Sequence, residues 1–283
     1  MNDRVAIERI PLYTHLDRIS SGLAALGIGA ADPIRPDQLF PLDQWHYHGT
    51  EAIRAAADRL GLGPASRVLE IGSGIGGPAR YLAHTAGCHV TALELQPKVH
   101  AVAADLTQRC GLAERVRHLC GDALLHPIED AAFDAVVSWL AVLHIPDRRR
   151  LYARLAQALR PGGWCYIEDL YMRAPFAAPD LRDLRELVFG VTVTGIDEHV
   201  DDVRAAGFVN VVATDETADW APYATARLAA WQANHARYAH AHGEAAYAAQ
   251  ELFYAVIVRL FDSGSMGGVR LVAQVPCDAD GDP

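Results

Sequence analysis

Residues 68–78 read Val-Leu-Glu-Ile-Gly-Ser-Gly-Ile-Gly-Gly-Pro, and no other stretch of the chain restricts its fold as tightly. A short strand-forming run is halted by closely spaced glycines and passes into a helix-compatible segment. Glycine lets the backbone turn sharply and approach a ligand without a Cβ in the way, while free N–H groups at a helix start favour an anionic or polar group. The same loop also serves as a plain strand-to-helix turn or in sites for other nucleotides, so its neighbours decide its meaning. From Arg67 to about Gln274 short β-branched runs alternate with amphipathic helical stretches, the pattern of a parallel sheet with crossover helices and hence of an α/β fold. Seven strands are expected, at 67–71, 89–93, 116–120, 135–138, 164–169, 209–214 and 269–275. Helices are expected at 50–60 and from near Gly77, Gln96, Asp147 and Glu198, with a stop at Gly61-Leu62-Gly63-Pro64 and a tight turn at Arg160-Pro161-Gly162-Gly163.

Two segments stand outside this alternation. Residues 1–49, broken by Pro33, Pro36 and Pro41, form a cap or lid, and about 215–262, rich in alanine and aromatics, reads as a long helical cover. The remainder, 50–283, is expected to be one domain; 283 residues at 51% hydrophobic composition suffice for one large core. The polar end at 278–283 is expected to be disordered. A formal charge of -10 argues against nucleic acid and anionic membranes, and Arg148, Arg149 and Arg150 are too few to reverse that. The five cysteines are an odd number without a CxxC pair, and the N-terminus lacks a signal-peptide pattern, which together suggest a cytoplasmic protein. His235 and His242 are seven apart on a helix, but no cysteine or acid completes a set, so no metal is expected.

The acids supply the missing context. Glu94 closes the second strand about 20 residues after the glycine loop, where a carboxylate accepts both hydroxyls of a ribose. Asp122, in Gly121-Asp122-Ala123, follows the third strand, where it can accept from an adenine amino group. Either alone could be a solvated loop-end acid; in this order, at the ends of successive strands, they describe an adenosine site.

With these features the chain resembles a class I S-adenosylmethionine (SAM)-dependent methyltransferase over about residues 44–274. The resemblance implies a Rossmann-like seven-stranded sheet in the order 3-2-1-4-5-7-6 with an antiparallel strand seven, an N-terminal helical cap and a helical insertion between strands six and seven. It implies SAM as cofactor, S-adenosylhomocysteine as product, and a cofactor site of Glu70, Gly72, Gly74, Gly76, Glu94, Leu95, Asp122, Ala123 and Ser138. A narrower likeness lies in residues 43–52 (DQWHYHGTEA) and 76–83 (GGPARYLA). These resemble the branch with sarcosine/dimethylglycine, phosphoethanolamine and tocopherol methyltransferases, with bacterial methionine S-methyltransferases as relatives, although His48 replaces the first of two glycines usual there. In that branch the pre-core segment folds over SAM, which makes Trp45 and Tyr47 cofactor-lid residues and His46 and His48 acceptor-wall residues. A histidine in the segment matching 138–146 assists deprotonation in phosphoethanolamine enzymes, so His144 is the catalytic candidate; the alternative is that it only positions the acceptor. Trp139, Glu168, Tyr171 and Trp220 are the remaining acceptor-site candidates, the acid and aromatics suiting an ammonium group.

The expected reaction is methyl transfer to nitrogen or sulfur of a small amine or amino-acid-like metabolite, by a chain that could form a homo-oligomer. Two alternatives stand beside it: carbon or oxygen methylation of a larger apolar metabolite, and a non-catalytic SAM-binding protein. A small closed cavity containing Glu168 or Asp169 favours the first reading, and an open apolar one favours the second.

Overall fold

The computed structural model describes residues 16–277; the expectation of disorder at 278–283 lies outside them. Seven strands, β1 (Arg67–Ile71), β2 (His89–Glu94), β3 (Val116–Cys120), β4 (Phe133–Trp139), β5 (Leu159–Met172), β6 (Val209–Asp215) and β7 (Met266–Gln274), form one sheet. Their order is β3-β2-β1-β4-β5-β7-β6, and β7 alone runs antiparallel to its neighbours. The central strands are almost wholly buried, as a sheet covered on both faces requires. One apolar layer joins Leu69, Val136, Leu151, Leu155 and Phe208; the other joins Ile53, Val68, Leu82, Val90 and Val137.

The register fixes where the site lies. Ile71 is level with Leu93, Glu94 with Cys120, and Trp139 with Glu168. The glycine loop, Glu94, the 121–123 turn and the loop after Trp139 therefore leave the same carboxyl edge, where open α/β sheets bind ligands.

Helices α1 (Asp17–Ala25) and α2 (Pro36–Asp43) form the cap, and α3 (Thr50–Leu60), α4 (Gly77–Tyr81), α5 (Pro97–Arg109) and α6 (Arg148–Ala158) flank the sheet. The cap sets Ile19, Leu23, Ile34 and Leu39 against Ile75 of the glycine loop and Val99 and Leu106 of α5. At its base Arg80 donates to Asp43 at 2.9 Å, both side chains fully buried. A Cβ on Gly77 would stand 2.3 Å from the Asp43 carbonyl oxygen, so only glycine lets the cap settle there.

Three expectations change. The cover is not one long helix but α9 (Thr217–Ala233), α10 (His235–His242) and α11 (Glu244–Asp262), because Asn234 and Gly243 leave helical geometry, Gly243 with φ +83°. Between β5 and β6 the chain adds α7 (Ala178–Glu186), and α8 (Ile196–Ala205) begins two residues before Glu198. The 160–163 turn is a bulge inside β5: Leu159 pairs with Phe133 and Trp164 with Ala135, with Gly162 at φ +74°.

Candidate functional site

At the carboxyl edge one cavity of about 1140 Å³ runs from the glycine loop to the cover helices. Ordinary ligand pockets occupy about 300–1,000 Å³. This cavity slightly exceeds that range.

The cofactor half is built by backbone geometry. Gly72, Gly74 and Gly76 all hold positive φ (68°, 53° and 79°). The Gly72 and Ser73 N–H groups donate to the Leu93 carbonyl, and Gly74 N–H donates to Glu94 Oε2 at 2.9 Å. Glu94 Oε1 accepts from Gln96 N–H, also at 2.9 Å. Each Glu94 oxygen keeps a second lone pair for a ligand hydroxyl. Burial raises its pKa, and the two N–H bonds counter that by favouring the charged form. A Cβ on Gly72 would come within 2.2 Å of Ala141 Cβ, so this glycine permits contact between two site loops, while a Cβ on Gly74 would meet nothing. Asp122 Oδ1 accepts from Leu124 N–H at 2.8 Å, holding the third loop. Glu70 is buried at the end of β1, and burial pushes its carboxyl up to about 8, favouring the protonated form. Glu70, Gly72, Gly74, Glu94, Leu95, Asp122 and Ala123 all line this half, a donor set that fits an adenosine bearing an amino-acid tail.

His144 ends a short 3-10 turn after β4. Its Nδ1 lies 2.9 Å from the Phe189 carbonyl, which can only accept, so Nδ1 carries the proton and Nε2 the lone pair. Burial lowers its pKa, keeping the ring neutral. The turn is clamped from two sides: Asp169 Oδ2 accepts from Leu143 N–H at 2.8 Å, and the Val191 and Thr192 N–H groups both donate to the Leu143 carbonyl. Burial pushes Asp169 itself up to about 7.

From the lid, Trp45, His46 and Tyr47 reach the cavity. His46 is buried, with Nδ1 3.0 Å from the Tyr47 carbonyl and Nε2 3.0 Å from Gln44 Oε1, and burial pushes it down to about 4. Its ring lies 5.6 Å from that of Trp139, another lining residue.

Six predicted residues lie outside the cavity lining. Ser138 is fully buried and donates to the Ile71 carbonyl at 3.0 Å, tying β4 to β1. Gly76 faces inward, where a Cβ would strike His118 and Arg80. Glu168 accepts from the Tyr166 hydroxyl at 2.6 Å beneath the sheet edge. Tyr171 turns to the Thr217 side, where a Cβ on Gly267 would stand 2.6 Å from it. Trp220 backs the lid: its ring stacks on Tyr47 at 4.2 Å and lies against Gly268. His48 points to Asp219, at 2.7 Å. In place of these, Leu140, Leu143, Val188, Tyr223, Arg227, Phe253 and Ile257 wall the acceptor half. The spacing of Tyr223, Arg227 and Trp231, four apart along α9, was the available signal for the cover's inner face. Val188 and Phe189, on an irregular connection, offered none.

Residues 69–167 match the methyltransferase domain family. The chain is 31% identical over 176 residues to the sterol 24-C-methyltransferase ERG6B of Gibberella zeae, covering 58% of this chain and 46% of that one. It is 36% identical over 117 residues to the glycine/sarcosine/dimethylglycine N-methyltransferase of Actinopolyspora halophila, covering 41% and 21%. The chain thus spans less than half the length of these relatives. Among solved structures, Haemonchus contortus phosphoethanolamine N-methyltransferase 2, in complex with phosphomonomethylethanolamine and S-adenosylhomocysteine, superposes with a TM-score of 0.80 at 19% identity, covering 98% of this chain and 61% of that one. Glycine loop, ordered strand-end acids, strand order and domain match agree: residues 69–167 match a methyltransferase domain, and the chain has the class I methyltransferase fold.

Proposed function

We propose that the protein transfers the methyl group of SAM to a carbon or oxygen atom of a mainly apolar metabolite larger than a simple amine. The observation that supports this most is the acceptor half of the cavity, walled by Leu140, Leu143, Val188, Phe253 and Ile257 beside Tyr223 and Arg227, with Glu168 and Asp169 outside it. The two acids that could have paired with an ammonium acceptor are spent on Tyr166 and on the His144 turn, and the tyrosines of the wall already face the Arg227 guanidinium.

SAM, when bound, supplies an electrophilic methyl on a sulfonium. The protein's part is to hold the acceptor in line, exclude water and take a proton. Glu94 and Asp122 would hold the adenosine, and the lid residues Trp45 and Tyr47 would close over it. His144 Nε2 would accept the acceptor's proton, its neutrality at pH 7 secured by burial and its tautomer by the Phe189 carbonyl.

A second reading, N-methylation of a small amine, draws on the likeness to the Actinopolyspora and Haemonchus N-methyltransferases. The two part in a turnover assay with isotopically labelled SAM. Apolar phenols and terpenoids taking up label supports the first; label on sarcosine, dimethylglycine or phosphoethanolamine, with the apolar compounds silent, supports the second.

A further inference from the structure

Charge in the cavity is divided by position. Its carboxylates are Asp43, paired with Arg80, and Glu70, Glu94 and Asp122 at the sheet edge. The cover helices add no acid but contribute the cations Arg227 and Arg237. In a chain of net charge -10, a cationic acceptor wall is opposite to the bulk composition.

Arg227 is the best defined of these cations. Its guanidinium lies 4.8 Å from the Tyr223 ring, 5.8 Å from Tyr47 and 5.9 Å from Tyr254, all three lining the cavity. Both of its hydrogen bonds use Nη2, to the His46 carbonyl at 2.7 Å and the Tyr223 hydroxyl at 3.1 Å. Among the described residues Nη1 and Nε have no acceptor and no carboxylate pairs with the group. An aromatic cage holds a guanidinium in place but leaves its forked donors and full charge for an oxyanion, which arginine binds in two-point fashion.

We propose that Arg227 is the anion-recognition group of the acceptor site, so that the acceptor is an apolar molecule bearing a carboxylate or a phosphate. This rests on the apolar-acceptor function above and narrows it. Pairing the anion at Arg227 orients the apolar body along the Leu143–Ile257 wall and reduces the ways the acceptor can lie. The bond from Nη2 to the lid carbonyl allows a purely structural alternative, a latch between cover and lid, and the test must separate the two.

Calorimetry on the full chain, saturated with S-adenosylhomocysteine, would compare decanoate, decyl phosphate, decanol and decylamine. One or both anions should bind roughly tenfold or more tightly than the alcohol and the amine. Arg227→Gln should abolish that advantage while leaving decanol and S-adenosylhomocysteine affinities unchanged, and Arg227→Lys should keep part of it. The carboxylate and phosphate arms identify which anion is preferred. Equal binding of alcohol and anions overturns the anion proposal but spares the apolar-acceptor function. Arg227→Gln weakening all four alike overturns it in favour of a latch. No binding by any of the four, with S-adenosylhomocysteine bound normally, overturns the apolar-acceptor function itself. Should Arg227→Gln fail to fold, raised salt on the wild-type protein replaces it: anion affinity must fall while decanol affinity holds, and an equal response of both overturns the proposal.

Discussion

His144 owes its tautomer to one backbone carbonyl. With Nδ1 committed to Phe189, the lone pair on Nε2 is fixed, and burial keeps the ring unprotonated below the ordinary histidine range. His144→Gln should lower kcat by about 10²–10⁴-fold with SAM affinity intact, and should remove the acidic limb of the kcat/KM profile. An unchanged profile would reduce His144 to a wall residue. Glu94 carries a comparable burden on the cofactor side, since each of its oxygens already accepts a backbone N–H. Glu94→Ala should weaken SAM binding by about 2–3 kcal/mol in calorimetry, the worth of a lost charge-assisted pair of hydrogen bonds. Unchanged affinity would remove it from the site.

At the scale of elements, the site depends on clamps that the sequence pattern does not display. Asp169 holds the 3-10 turn through Leu143 N–H and its own strand through Leu170 N–H. Asp169→Ala leaves both donors buried and unpaired, which should cost about 1–3 kcal/mol each in denaturant unfolding and depress kcat without touching SAM affinity. The cap is anchored by Arg80 and Asp43, and Asp43→Ala should destabilise by about 3–5 kcal/mol because it strands a buried guanidinium. The strands, the glycine loop and the order of Glu94 and Asp122 were legible because periodicity and turn chemistry are local properties. Ser138 and Glu168 fall outside the cavity lining for the opposite reason: a strand end says which edge a residue occupies, not whether its side chain already bonds Ile71 or Tyr166. The break in the cover at Gly243 was readable as a glycine within an alanine-rich run, whereas the 187–195 connection that orients His144 had no period or motif to mark it.

Across the whole molecule, buried groups of opposite kinds set the pH response. Burial pushes His46 down to about 4 and His118 and His199 down to about 3, so in acid the unfolded chain binds protons that the folded one refuses. Their contribution is full above about 6.5 and is lost as pH falls toward 4 and 3. Glu70, raised to about 8, acts oppositely: between about 4.5 and 8 the folded state keeps a proton that the unfolded state has released, so stability declines as pH rises through that window. Glu70→Gln should therefore raise Tm more at pH 8 than at pH 5, and an equal change at both would show that Glu70 is ionised in the folded protein. No helix among the described residues is long and apolar enough to cross a membrane.

The most direct test of the central claim is methyl transfer from labelled SAM to a mixed panel of apolar phenols, terpenoids and small amines, read by mass. The cavity predicts label on apolar compounds and none on sarcosine or phosphoethanolamine. Label confined to the small amines would contradict it and return the acceptor to the size and charge that Glu168 first suggested.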